Sequence, residues 1–377
     1  MSVEIVKVTT KGQLRKFVTF PIDKLYKNNP YYVPSLVLDE MGTVDTTKNP
    51  AFDFCERDLF LAYKDGKIAG RIATIINNRA NEIWNQKYAR FGFVDFIDDY
   101  EVVDALFNTA EDWARSRGME HVVGPMGFTD LDHEGLLIEG YDRISTMSTT
   151  YSHPYYKEQI ERVGYQKEID WVEFRIPVPE RVPERHLRIA KLVADKYGLK
   201  LLKFDNLRQI TPYVDKLFNQ LNVAYAPLFG FTPLTKKQID YYVKMYVPLL
   251  RWDLVSIIIK IDTDEVVGFG IGIPSLSYAL QKSKGRLFPF GWFHLLKALK
   301  GKGNKVVDLL LMGVAPEYQG KGVNALIFSD FIPSAHNAGF RFAESNPELE
   351  INNKIQAQWD GFDAVNHKRR RAYKKKI

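Results

Sequence analysis

The run Asp308-Leu-Leu-Leu-Met-Gly-Val-Ala-Pro-Glu-Tyr-Gln-Gly-Lys-Gly-Val-Asn324 constrains this chain more than any other part of it. An apolar stretch suited to a buried strand passes through a Pro-led turn into a glycine-rich loop, and the loop opens a helix. In that helix Val323, Leu326, Ile327 and Phe331 recur at a spacing that lays one face on a sheet. At such a junction backbone N–H groups and the positive end of the helix dipole converge on one point. Gly320 and Gly322 allow a sharp bend and a close approach of phosphate to main chain. The ligand class this predicts is a diphosphate.

Two common diphosphate loops fit poorly. A G-x-x-x-x-G-K-[ST] loop needs a glycine at a distance before Gly320-Lys321 where none stands, and Gly322 holds the Ser/Thr place. The dinucleotide pattern G-x-G-x-x-G is met with Ala325 as its small variant. That pattern normally occupies the first βα turn of its unit, with an acid about 20 residues on, whereas this loop lies near the carboxyl terminus.

Residues 314–325 resemble the acetyl-CoA signature [QR]-x-x-G-x-[GA] of the GNAT (Gcn5-related N-acetyltransferase) superfamily. Gln319, Gly320, Lys321 and Gly322 match it, and Asn324 stands in the final small position with Ala325 beside it. The rest of the family plan follows in order: a strand at 340–345, a helix at 352–360, the pair Gly361-Phe362 and a closing strand at 369–377. The resemblance covers roughly residues 200–377. It implies an α/β fold with a mixed sheet and an acyl-CoA donor, acetyl-CoA by default. It also implies a splayed strand whose Met312, Gly313 and Val314 pair with pantetheine, and a pyrophosphate cradle at Gln319, Gly320, Lys321, Gly322, Val323 and Asn324. The family's general base lies six residues before the Val314 position, which makes Asp308 the candidate here. An outward-facing or salt-bridged structural acid is an equal reading of that residue. Where the family commonly has a Tyr as proton donor, four residues before the G-F pair, this chain has Ala357. Tyr318 and Tyr373 lie nearby in sequence, and neither is favoured.

The first half repeats the element order. Apolar runs flank Asp65-Gly66, a strong hairpin signal, as runs at 253–260 and 264–273 flank Asp262-Thr-Asp264. A strand at 88–97, a helix at 102–117, a strand at 120–125, a helix at 155–163 ending at Gly164-Tyr165 and a strand at 167–178 complete it. Two GNAT-like domains in tandem result: residues 1–178, a Pro-rich linker at 179–185, and residues 186–377. Where the second half has its glycine loop, the first has Asp98-Asp-Tyr-Glu101. Three carboxylates repel a diphosphate, so the amino-terminal copy is expected not to hold CoA and to shape an acceptor pocket, with His133, Glu134, Tyr155 and Tyr156 as possible lining.

Composition narrows the class. The single cysteine, Cys55, excludes an internal disulfide and any multi-cysteine metal site, so no metal is expected. No apolar run suits a membrane span and no leader is visible, which together predict a cytoplasmic protein. The net charge of +6 is local: residues 366–377 hold seven Lys and Arg and no acid, and the remainder balances to −1. That argues against a broad nucleic-acid face and suggests a charged edge strand, or a contact for the CoA 3′-phosphate. An insertion at 276–305 carries Arg286-Leu-Phe-Pro-Phe-Gly-Trp-Phe-His-Leu-Leu-Lys297, an amphipathic aromatic segment with basic ends, read as a lid ahead of a membrane contact. The leading function is acyl-CoA-dependent N-acyl transfer to a small-molecule or peptide amine. The alternatives are a Fem-like aminoacyl transferase using charged tRNA, motivated by the basic tail and paired domains, and a non-catalytic CoA-binding or sensing protein.

Overall fold

Asp65 and Gly66, both at positive φ (53° and 72°), close the first hairpin in register, Lys64 opposite Lys67. In the second hairpin Asp264, at φ 53°, holds the turn while Lys260 N donates to Glu265 O. Both turns are where the short polar residues between apolar runs place them. The computed structural model describes residues 2–301 and 303–377. Its strands are β1 (Glu4–Lys7), β2 (Cys55–Lys64), β3 (Lys67–Asn77), β4 (Tyr88–Phe96), β5 (His121–Gly124), β6 (Leu136–Glu139) and β7 (Gln166–Pro177). They continue with β8 (Leu199–Leu202), β9 (Val255–Lys260), β10 (Val266–Pro274), β11 (Val306–Val314), β12 (Phe342–Glu344), β13 (Glu348–Leu349) and β14 (Val365–Lys376).

Two compact units divide the chain. One is the chain through Val172 with Ser277–His294 and His367–Ile377; the other is Glu173–Leu276 with Leu295–Asn366. In the first, β1 to β4 form an antiparallel meander, β4 pairs with β5 in parallel, and β14 lies antiparallel to β5. In the second, β8 to β11 form the meander, β11 pairs with β12 in parallel, and β7 lies antiparallel to β12. A helix crosses between the parallel strands in each unit, Tyr100–Arg115 in the first and Asn324–Asn337 in the second, as a parallel pair requires. The first of these helices buries Val102, Val103, Leu106, Phe107, Ala110, Trp113 and Ala114, the face its apolar spacing predicts.

The closing strand departs from expectation. By element order β7 should close the first unit and β14 the second. Instead β14 pairs with β5, Tyr373 opposite Gly124 and Lys376 opposite His121, and its residues from His367 onward belong to the first unit. The basic tail is therefore not an exposed edge strand. Arg370, Ala372 and Tyr373 are fully buried. Acids of the first unit meet several of the tail's charges: Arg371 Nε lies 2.7 Å from Asp170 Oδ1, Lys375 Nζ lies 2.8 Å from Glu111 Oε1, and Lys374 pairs with Glu168, while Lys368 and Arg370 also donate to the carbonyls of Ile144 and Thr150. Asp170 is also approached by Lys167 and Arg369. These pairs hold the half-buried basic side chains of the tail against the first unit.

Candidate functional site

The second unit's site grows from a stripe of glycines on β10. Gly268, Gly270 and Gly272 alternate along the strand, so all three face one side. Across that side lie Val323, Ile327 and Phe331, spaced four apart from the N-cap into the helix Asn324–Asn337. A Cβ at Gly270 would stand 2.6 Å from Ile327 Cγ2, one at Gly272 2.6 Å from Phe331 Cζ, and one at Gly268 3.3 Å from Val323 Cγ1. The helix therefore seats deep on the sheet, and its first turn is fixed beside the end of β11.

Within β11 the register against β10 slips between Ile271 and Gly272, where Leu311 and Leu309 are the successive partners and Leu310 is the extra residue. Such a bulge bends the strand and strengthens its twist. On its other side β11 pairs with β12 only over Val306, Val307 and Asp308. Beyond Asp308 the two strands part, and Asn346, just past β12, donates from Nδ2 to Leu310 O. Met312, Gly313 and Val314 lie beyond the last pair between β11 and β12. The carbonyls of Met312 and Val314 already accept side-chain donors, Tyr225 Oη at 3.0 Å and Gln319 Nε2 at 3.2 Å.

After the short helical turn Pro316–Tyr318, Gly320 and Gly322 take positive φ (73° and 85°). A Cβ at Gly320 would meet open space, whereas one at Gly322 would stand 2.7 Å from Ile189 Cγ2 of the helix Glu184–Tyr197. Among the described residues no carbonyl accepts from the backbone N–H groups of Gly320, Gly322, Val323 or Asn324. This fits an anion at a helix N-terminus. Lys321 is different: its N–H donates to Tyr318 O, and its ammonium lies over the rings of Tyr197 and Tyr318. Gln319, Gly320 and Lys321 are exposed.

Asp308 is buried, at the last position where β11 pairs with β12, with Glu344 opposite it. Glu344 accepts from Arg175 at 3.0 Å. Ala357 lies in the turn Ala357–Trp359 and offers no proton. Sequence reasoning passed over Glu348. Burial pushes its carboxyl up to about 7, and a hydrogen bond from Trp359 Nε1 at 2.9 Å only partly offsets that. Nothing in the sequence around Asn346-Pro-Glu348 signals it; the alternating glycines of β10 were a readable signal.

The equivalent place in the first unit is built otherwise. There Asp99 caps the helix Tyr100–Arg115, accepting from the N–H groups of Glu101 and Val102, and Lys64 binds both Asp99 and Glu101. β4 and β5 also part, after Arg90, but the chain itself enters the gap. Met126 N donates to Phe91 O, and a Cβ at Gly92 would stand 2.3 Å from Met126 O. Glu134 and its neighbour Asp130 lie close to Asp132 and Arg90; burial pushes Asp130 up to about 7. Tyr155 and Tyr156 pack on Phe96 and reach Phe96 O and Asp95. His133 Nε2 contacts Met147 O. Cys55 is buried, and burial pushes its thiol up to about 12, which disfavours the thiolate.

No family model matches the chain. Protein YghO of Escherichia coli is 29% identical over 372 residues, covering 97% of this chain and 94% of that one. A bacterial ceramide synthase of Caulobacter vibrioides is 28% identical over 378 residues, covering 99% and 97%. Among solved structures, a tandem GNAT protein from the clavulanic acid biosynthesis pathway superposes over 100% of this chain and 98% of its own, at 11% identity and a TM-score of 0.58. A GCN5-related N-acetyltransferase from Sphaerobacter thermophilus covers 99% and 95%, at 12% identity and a TM-score of 0.53. With the parted parallel strands, the bulge and the glycine loop already in place, these likenesses give the chain its fold: it is a tandem GNAT fold.

Proposed function

We propose that this protein is an acyl-CoA-dependent N-acyltransferase whose donor is held by the second unit. One observation carries the reading: the strands part immediately beyond Asp308 and lead to a helix start at which four backbone N–H groups have no carbonyl acceptor. Gly320, Gly322, Val323 and Asn324 would hold the pyrophosphate through main chain, and Lys321 would add charge rather than an amide. Bound acyl-CoA supplies a thioester activated for attack by an amine. The chain's own task is then to hold the acceptor amine unprotonated and to receive its proton. Asp308 and Glu348 are the carboxylates proposed for that task. The first unit, with its helix start capped by Asp99, is proposed not to hold the donor.

The acceptor is proposed by chemistry and by kinship. One relative is named a ceramide synthase. A ceramide is the amide of a fatty acid with a long-chain amino alcohol, so a long-chain amino alcohol and a fatty acyl-CoA are the first pair to test. The tRNA alternative loses one of its two motives, because Arg371, Lys374 and Lys375 of the basic tail pair with Asp170, Glu168 and Glu111 of the first unit.

The test is a thermal-shift and turnover panel with CoA, acetyl-CoA and palmitoyl-CoA, run on wild type, Gly320→Asp and Gly320→Asn. Position 320 suits the purpose because a side chain there meets nothing, and Asp and Asn both tolerate the left-handed backbone. Asp should abolish stabilisation by CoA and Asn should retain part of it. Equal stabilisation of all three overturns the site. CoA binding without turnover of any amine leaves a CoA-binding protein instead of an enzyme.

A further inference from the structure

We propose that the segment from Tyr278 to Phe293 docks on the surface of an anionic phospholipid bilayer. It belongs to the first unit and consists of the helix Ser277–Ser283, a turn, and the start of the helix Gly291–Leu299. Its aromatic side chains point to solvent while Leu280 is buried beneath: Tyr278 is 68% exposed, Phe288 75%, Phe290 72%, Trp292 46% and Phe293 55%. So many aromatic rings on so short a stretch form a patch that water alone does not favour. A lid packed over a channel would bury these rings, and they are not buried.

Charge selects the partner. Between Glu265 and Asp308 the sequence contains no acidic residue and seven Lys and Arg. Lys282 and Lys284, at the end of the helix Ser277–Ser283 and directly after it, are exposed within the same unit as the rings. Aromatic rings flanked by lysines match the layered chemistry of a bilayer surface, with acyl boundary beneath and anionic headgroups above.

The patch is also held ready. Arg286 binds both oxygens of Asp23, at 2.7 and 2.9 Å, and Val37 N donates to Gly285 O. Gln281 Nε2 reaches Pro30 O and Tyr32 O, and Ser277 Oγ donates to Ser145 O. Gly291 sits so close to Arg286 O that a Cβ would lie 1.7 Å from it. Trp292 Nε1 donates to Pro289 O at 3.1 Å, so the indole enters an apolar boundary without stranding its one donor. None of this rests on the N-acyltransferase reading.

Co-sedimentation of the full chain with vesicles tests it, using phosphatidylcholine alone and phosphatidylcholine mixed with phosphatidylglycerol, over a salt series. Wild type should bind the anionic vesicles, bind the neutral ones less, and weaken as salt rises. Phe288→Ser with Phe290→Ser should lower partitioning on the order of tenfold or more, while Phe288→Trp with Phe290→Trp retains it. Lys282→Gln with Lys284→Gln should remove much of the preference for phosphatidylglycerol. Unchanged melting temperatures check that these exposed positions leave the fold intact. No vesicle binding by wild type overturns the proposal, as does equal binding by the serine variant. Self-association that the serine variant abolishes, without vesicle binding, assigns the patch to a second copy of the chain.

Discussion

Glu348 offers a residue-scale handle with a definite sign. Its carboxyl is pushed from 4.5 to about 7 by burial, so the folded chain holds this proton more tightly than the unfolded chain does. The stability it contributes is present in full below about pH 4.5 and is lost as pH rises through 7, up to roughly 3 kcal/mol. Glu348→Gln should flatten that part of the stability curve in denaturant titrations at several pH values; an unaltered curve removes Glu348 as the titrating group. If Glu348 also takes the acceptor's proton, turnover should rise through pH 7 in wild type and lose that limb in the variant. Asp308→Asn should lower kcat with little change in acyl-CoA affinity, as for a group needed only during reaction. Turnover at the wild-type rate in a folded variant leaves Asp308 a structural acid.

At the scale of elements, the glycine stripe of β10 sets how closely the loop's helix approaches the sheet. Gly270→Ala places a methyl 2.6 Å from Ile327 Cγ2 and should cost about 1–3 kcal/mol through overpacking. Ile327→Ala removes that methyl and leaves a cavity when made alone. The two together should cost less than the sum of the single changes, a coupling that a double-mutant cycle by urea denaturation reads directly. Simple additivity would mean that helix and strand relax independently. The same stripe explains why the loop can present its amides: a helix packed further out would carry the N–H groups of Val323 and Asn324 away from the end of β11.

For the whole molecule, the consequential arrangement is the placement of β14 in the first unit. Asp170, buried, faces Arg371, Arg369 and Lys167. Burial alone would push its carboxyl up, and the bonds from Arg371 and Lys167 more than reverse that, holding it low. Its contribution therefore stands above the ordinary carboxylate range and is lost as pH falls through the lowered value. Asp170→Asn should destabilise the chain by about 1–3 kcal/mol, because it leaves the half-buried guanidinium groups of Arg371 and Arg369 without the acid they share. A loss under 1 kcal/mol would show that other acids suffice for the tail. The two-unit plan also predicts one CoA per chain by calorimetric titration. Two would mean that Asp99 and Lys64 do not close the first unit's helix start.

The sequence by itself determined the local pieces: the Asp-Gly hairpin, the amphipathic crossover helix, the glycine loop and its helix. Each is set by residues a few positions apart, through turn chemistry and apolar period. The departure of the first copy at Asp98-Asp-Tyr-Glu101 was legible for the same reason, since a capping acid acts on its own helix. What only the tertiary structure decided are pairings between distant residues. The basic run at 366–377 reads as an exposed edge until Asp170, Glu111 and Glu168 are seen beside it. The neutral-range carboxyl of Glu348 comes from burial, and the plug at Gly92 from a loop more than thirty residues away. Charge, desolvation and close approach depend on neighbours in space, and the order of residues along a chain does not name them.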